Sequence, residues 1–185
     1  MKIDLKLDTS IDNYAVFGKP IAHSKSPQIH TLFAEQKAIA LHYQALEVPI
    51  DRFSDYVRGF ASQSGRGLNI TVPFKEEAYA LCTNLTKRAE YANSVNVIWF
   101  DETENIYGDT TDGQGLINDL TINNGIDLQA KSILILGAGG TVKSILQPLS
   151  EQQPDRIVIA NRTVERAVKL AKKFSGEVDI AASSY

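Results

Sequence analysis

Residues 132–140 read SILILGAGG, a strand-like run opening onto a glycine turn. Ser132 to Leu136 is almost purely apolar, the pattern of a parallel strand buried on both faces. Gly137, Ala138, Gly139 and Gly140 then carry the chain into a helix reaching about Gln152. Strand, glycine turn and helix in that order are the context a dinucleotide fingerprint requires. Gly137 permits the tight turn, and Gly139 lets backbone approach a pyrophosphate. The helix N-terminus adds unpaired N–H groups and a partial positive charge. Val142 stands where the fingerprint has Gly or Ala and is expected to loosen helix–strand packing. Pro148 is expected to kink the helix.

Downstream, Arg156 to Ala160 reads as a second strand, followed by Asn161-Arg162-Thr163 and, one helical turn later, Arg166. An NAD site wants an acidic residue after this strand to accept from the ribose 2′-hydroxyl. A guanidinium there suits a 2′-phosphate instead, so NADP is the expected cofactor. The other reading makes Arg162 and Arg166 solvated helix-start charges, although two cations at a helix N-terminus oppose its dipole. Val164, Ala167, Val168 and Ala171 form the apolar face of a helix ending at Phe174, and a short strand follows near Val178 to Ala181. Residues 131–185 are therefore expected to form a partial Rossmann-like NADP-binding domain.

Upstream, strand and helix patterns alternate, as in an α/β protein. Strands are predicted at Tyr14–Phe17, Tyr43–Val48 and Gly67–Val72, with a hairpin of Val95–Phe100 and Ile106–Gly108 around Asp101–Asn105. Ile29, Leu32 and Phe33 mark one helix; Ile50, Phe53, Val57 and Phe60 mark the apolar face of another. A helix from about Gly113 to Leu120 leads into a polar segment, Thr121–Lys131. Residues 1–110 are read as an α/β domain with a mostly parallel sheet, and residues 111–130 as a connecting helix and loop. Right-handed crossovers are expected in both domains.

Composition narrows the function. The 185 residues carry 19 Lys and Arg against 22 Asp and Glu, a net charge of −3. That argues against a nucleic-acid partner, which calls for a basic excess. Cys82 is the single cysteine, so no internal disulfide can form and a reducing cytoplasm is expected. The opening MKIDLKLDTS has no apolar run for a signal peptide. No stretch is long and apolar enough to span a membrane.

Four polar clusters fall where strands of the first domain end: Ser24-Lys25-Ser26-Pro27, Asn69 to Lys75, Asn93 to Asn96, and Asp109 to Gly113. Ligands of open parallel sheets sit beyond the strands' carboxyl ends. Hydroxyls, amides, one ammonium and carboxylates, with no His or Cys pair for a metal, suit a polyhydroxylated small molecule bearing a carboxylate. Taken singly, Asn93, Ser94 and Thr110 read as cap or turn residues and His23 as a loop histidine. Ser26, beside Pro27, reads as the better helix cap, and Ser24 as the better ligand.

The segments VFGKPIAHSKSP, GLNITVPFKEEAY, SVN with GDTTDGQG, and LILGAGGTVKS with IANRT resemble the shikimate dehydrogenase family, in order, from about residue 14 to 174. That resemblance implies reversible reduction of 3-dehydroshikimate to shikimate with NADPH, in the pathway to chorismate and aromatic amino acids. It implies that Ser24 and Ser26 bind the substrate carboxylate and that Asn69, Thr71, Asn96 and Asp112 hold its hydroxyls. Lys75 matches the catalytic lysine, working with Asp112. Asn161, Arg162 and Thr163 match the phosphate clamp. Ser94-Val95-Asn96-Val97 departs from the family's Ala-Val-Asn-Thr and removes a hydroxyl beside Asn96. The resemblance also implies a longer chain, so a truncated enzyme is expected; an uncovered sheet edge then predicts self-association, as in a homodimer, through residues near 132–136 and 178–181, or a poorly ordered second unit. Two rivals remain: a module that binds substrate or cofactor without turnover, and a quinate/shikimate dehydrogenase accepting NAD.

Overall fold

Phe17 meets Phe60 edge-on (ring centroids 5.8 Å apart, 83°), and Phe53 stacks on Phe74 (4.8 Å, 13°). All four are sealed from solvent. They form the centre of the first of two compact units in this computed structural model, which describes Leu5 and residues 7–8, 10–103, 105–174, 176 and 178–185. Residues 1–4, 6 and 9 of the N-terminal stretch, and Glu104 of the hairpin turn, lie outside the described residues. The first unit comprises Met1–Thr86 and Val95–Asp109; the second comprises Lys87–Ser94 and Thr110–Tyr185.

The first unit contains β1 (Asp12–Gly18), α1 (Ser26–Lys37), β2 (Leu41–Glu47), α2 (Phe53–Ala61), β3 (Gly65–Ile70), α3 (Lys75–Leu81) and β4 (Asn84–Leu85). After α4 (Lys87–Ala92), which belongs to the second unit, come β5 (Val97–Phe100) and β6 (Ile106–Asp109). The sheet order is β2-β1-β3-β5-β6-β4. β1 pairs parallel with β2 and β3, and β4 with β6, whereas β3–β5 and β5–β6 are antiparallel. Successive side chains of a strand alternate between faces. Hence Val16 packs with Ile21 and Tyr43, while its neighbour Phe17 joins the aromatic core.

The second unit contains α5 (Asp112–Asn118), a π-helical turn (Asp119–Asn123), β7 (Ser132–Leu136), α6 (Gly140–Ser150), β8 (Arg156–Ala160), α7 (Val164–Phe174) and β9 (Asp179–Ser183). Its three strands are parallel in the order β7-β8-β9. Ile135, Ile157 and Ile159 meet Leu146 and Leu149 of α6 and Ala167 and Leu170 of α7 in one core. Val142 is buried in that core, so the packing accommodates the larger side chain. α6 continues through Pro148 to Ser150.

Several expectations are corrected. The first sheet is mixed, because the β5–β6 hairpin joins it antiparallel. Helices α3 and α4 and strand β4 were not foreseen, being short. Ile50 belongs to a 3-10 turn and is exposed, whereas Phe53, Val57 and Phe60 are fully buried. On α1 the spacing marks a helix but not its buried side: Ile29, Leu32 and Phe33 are 44%, 50% and 56% exposed, and Ala34 is buried. β7 is covered on one face only, with Leu134 and Leu136 63% and 69% exposed. It is an edge strand, and α6 and α7 pack into the same cluster. The segment read as a loop from Thr121 begins with the end of the π-helical turn.

Candidate functional site

Because β1, β2 and β3 run parallel, the chain leaves all three at one edge of the first sheet. Asn69 lies opposite Val97, and Val97 opposite Asp109, so β5 starts and β6 ends at that same edge. Ser24, Ser26, Asn69, Thr71, Lys75 and Asn96 are gathered there by topology, and all are partly buried.

Backbone hydrogen bonds fix the cluster. The Thr71 N–H donates to the Phe17 carbonyl (2.9 Å), and the Thr71 carbonyl accepts from Phe74 N–H (3.0 Å), closing a turn that delivers Lys75 as the first residue of α3. The Lys75 carbonyl accepts from Val95 N–H (3.0 Å). The Asn96 carbonyl accepts from Ile70 N–H (2.8 Å) and from Asn69 Nδ2 (3.5 Å), while Asn96 N–H donates to the Asp109 carbonyl (2.9 Å). The Asp109 carboxylate is engaged by the Thr86 hydroxyl (2.6 Å). Asp112 opens α5 in the second unit.

The division of labour between the serines is a correction. Lys25 occupies the cap position of α1, and no side chain caps it there. Ser24 Oγ accepts from the Ser26 N–H (3.3 Å), so the local turn is supported by Ser24, not by Ser26. The Ser26 hydroxyl lies close enough to the Tyr43 phenol to lower its pKa. His23 is exposed in a turn, and Asn93 takes a left-handed turn conformation (φ 49°), as read from sequence.

Tyr43 and His30 were not singled out from sequence. Tyr43 Oη donates to Asn69 Oδ1 (2.6 Å), and the His30 ring stacks flat on Tyr43 (4.4 Å, 3°). Burial pushes the Tyr43 phenol well above its ordinary value, the Ser26 hydroxyl opposing this weakly, and burial lowers the His30 imidazole. The available signal was a tyrosine on an inward strand face, whose buried hydroxyl needs a partner.

In the second unit, Gly137 has φ 115°, a conformation open to glycine, and its N–H donates to the Ala160 carbonyl (2.7 Å). No atom lies within 4 Å of a Cβ placed on Gly137 or Gly139, so the turn is open to a close backbone approach. Gly140 begins the 11-residue α6, and Ala138 packs against the core. At the end of the neighbouring strand, Asn161 Nδ2 donates to the Thr163 carbonyl (2.7 Å) and shapes the turn that leaves Arg162 and Thr163 exposed, with Arg166 exposed in the first turn of α7. An open glycine turn at a helix N-terminus beside two exposed guanidinium groups fits the diphosphate and 2′-phosphate of NADP.

A mixed α/β unit with a polar strand-edge cluster, followed by a βαβαβ unit with a glycine turn, defines a two-unit dinucleotide-binding class of α/β protein. Comparison with known proteins makes the class particular. Residues 16–98 match the "Shikimate dehydrogenase substrate binding domain" and residues 120–184 match "Shikimate / quinate 5-dehydrogenase". The shikimate dehydrogenase (NADP(+)) of Nitrosomonas europaea is 49% identical over 175 residues, 95% of this chain and 63% of that protein. Among solved structures, shikimate dehydrogenase from Aquifex aeolicus superposes with a TM-score of 0.85 at 31% identity, over 94% of this chain and 64% of that one. Shikimate 5-dehydrogenase from Thermus thermophilus, in complex with NADP(H) and shikimate, gives 0.83 at 29%, over 92% and 62%. This chain belongs to the shikimate dehydrogenase family, and it spans a little under two thirds of the length of these relatives. Among the described residues no helix is long and apolar enough to cross a membrane.

Proposed function

We propose that the protein binds shikimate and NADP and interconverts 3-dehydroshikimate and shikimate, in the route to chorismate and aromatic amino acids. The observation that carries this reading is the strand-edge cluster, in which hydrogen bonds tie Asn69 to Asn96, Thr71 to Phe17, Lys75 to Val95, and Asn96 to Ile70 and Asp109. Its hydroxyls, amides and ammonium match a ring bearing hydroxyls and a carboxylate. In this reading Ser24 and Ser26 take the carboxylate, and Asn69, Thr71, Asn96 and Asp112 take the hydroxyls. The NADP site comprises Gly137, Ala138, Gly139 and Gly140 at the diphosphate, with Arg162 and Arg166 at the 2′-phosphate on the turn shaped by Asn161 and Thr163.

NADPH supplies a hydride when bound. The chain's own part is to hold the substrate carbonyl and to place a proton donor at its oxygen. Lys75 and Asp112 are the catalytic pair. The Lys75 ammonium polarises the carbonyl, stabilises the negative charge that develops on oxygen, and gives it a proton; Asp112 holds the neighbouring hydroxyl. The mean effect of such positioned donors lies in the transition state, so it is read in kcat.

Two finer statements belong to the same proposal. A cytoplasmic location suits the single thiol, Cys82, which burial pushes up to about 12. Homodimerisation through residues near 132–136 suits the exposed Leu134 and Leu136 of the edge strand β7. NADPH absorbance, followed with shikimate or quinate and with NADP or NAD, tests the function. Reduction of NADP by shikimate supports it. Binding of both ligands without turnover, or preference for quinate and NAD, replaces it by one of the two rivals.

A further inference from the structure

We infer that Tyr43 is a positioning residue: its phenol, held between His30 and Asn69, donates to Oδ1 and so holds the Asn69 carboxamide with its NH2 end toward the start of β5, where it can donate to a ligand oxygen. The inference rests on the proposed substrate role of Asn69, and on geometry that is independent of that role.

The two ends of a carboxamide differ chemically, and their assignment follows from the partners. Among the described residues the Asn69 side chain has two hydrogen-bond partners, the Tyr43 hydroxyl at 2.6 Å and the Asn96 carbonyl oxygen at 3.5 Å. A carbonyl oxygen only accepts, so the amide nitrogen must be the end facing Asn96. Oδ1 then faces Tyr43, and the phenol must be the donor. A phenol has one proton, which this bond uses. Burial keeps that proton on the oxygen, because the phenolate is disfavoured there. The Asn96 carbonyl thus sets the orientation, and the phenol, donating to Oδ1, holds it as long as the ring stays in place.

Three elements keep it in place. Tyr43 sits on β2 and Asn69 on β3, with β1 between them, so the side chain crosses the central strand, where it packs on Val16 and Ile21. His30 of α1 covers its other side as a parallel stack. The Asn96 carbonyl belongs to the segment where β5 starts, at the strand edge that collects the polar cluster. The NH2 end of Asn69 thus faces the start of β5 at that strand edge, and among the described residues one of its two protons has no partner beyond Asn96.

The variant Tyr43→Phe keeps the ring and its stack and deletes the lock. Shikimate Kd is expected to rise about 3- to 10-fold, the range of one neutral hydrogen bond, with NADP Kd near wild type and a modestly lower melting temperature, because Asn69 Oδ1 loses its donor. In an Asn69→Ala background the same change should add nothing further. The direct readout is the side-chain NH2 resonance pair of Asn69 in the full chain, assigned by its loss in Asn69→Ala. In the wild type the pair should be resolved and slow to exchange; in Tyr43→Phe it should exchange faster and shift. An unchanged pair in Tyr43→Phe overturns the inference whatever the affinity does, as do additive losses in the double variant. Failure of the wild-type chain to bind shikimate would instead remove the substrate reading, and the resonance pair would still decide the role of Tyr43.

Discussion

Gly113 stands directly against the carbonyl oxygen of Ser144, with no room for a Cβ between them. Ser144 lies four residues before Pro148 on α6, and proline has no N–H to take that carbonyl into the helical ladder. The released oxygen and the Pro148 ring together form the surface on which α5 rests. A Cβ on Gly113 would also come within 2.8 Å of Pro148 Cγ. Gly113 therefore has a packing reason to be glycine, next to Asp112, which the proposed chemistry needs. Gly113→Ala should destabilise the protein by about 1–3 kcal/mol through overpacking, read as a lower urea midpoint. Pro148→Ala, which restores the ladder bond, should be neutral or stabilising. A Gly113→Ala variant as stable as wild type would leave the glycine with no packing role.

What the sequence made legible, and what it hid, follows from range. SILIL with GAGG, RIVIA and the helix from Val164 to Phe174 were readable because their signals are local: apolar runs, a glycine turn, a helical face. Helix α3 was hidden because KEEAYAL is seven residues with a charged first turn, too short for periodicity to emerge. Ile29, Leu32 and Phe33 show that spacing reports a helix without reporting what covers it. The polar clusters were legible because chain order places them at strand ends. Tyr43 and Asn69 are 26 residues apart and lie on strands that are not neighbours, so their contact depends on the sheet order β2-β1-β3, which no local pattern specifies.

The serines of the first loop should separate by readout. Ser24 accepts a backbone bond at 3.3 Å in the turn before α1, a long and therefore weak one. Ser24→Ala should weaken shikimate binding and lower the melting temperature slightly. Ser26→Ala should weaken binding with a small thermal effect at most, because Ser26 does not cap the helix. A larger melting-temperature loss for Ser26→Ala than for Ser24→Ala would reverse the assignment.

Lys75 should be read in turnover. Lys75→Ala, in a protein that reduces 3-dehydroshikimate, should lower kcat by about 100-fold or more, the lower end for a positioned proton donor, and raise KM far less. A variant that loses affinity alone would make Lys75 a binding residue.

Arg162 should separate the two nicotinamide cofactors. A charge-assisted contact to the 2′-phosphate contributes about 1.5–3 kcal/mol, so Arg162→Ala should lose that much NADP affinity and leave NAD affinity unchanged. Titration with each cofactor checks it. Equal losses would assign Arg162 to the fold, for example to the turn held by Asn161 and Thr163.

The β5–β6 hairpin should carry an acid-sensitive latch at Asp101. Its carboxylate accepts from Asn105 Nδ2 (2.9 Å), Thr103 Oγ1 (2.8 Å), the N–H groups of Asn105 (3.0 Å) and Thr103 (2.9 Å), and the Tyr107 hydroxyl (3.1 Å). These donors, the Asn105 amide first and the Thr103 hydroxyl next, hold the carboxyl well below its ordinary value of 3.8. A carboxylate depressed in the folded state stabilises the fold above its unfolded value, and that contribution disappears as pH falls through the folded value. The turn should therefore stay closed at neutral pH and loosen only below about 3.8, with the midpoint lower still. The same contact raises the Tyr107 phenol, because ionising it would break the bond and oppose a negative charge. A carbon-13 titration of Asp101 should give a depressed midpoint, and Asp101→Asn should bring the Tyr107 titration down toward 10.0, its ordinary value. An Asp101 midpoint at or above 3.8, or a Tyr107 titration indifferent to Asp101→Asn, would show that these donors do not hold the carboxylate in solution.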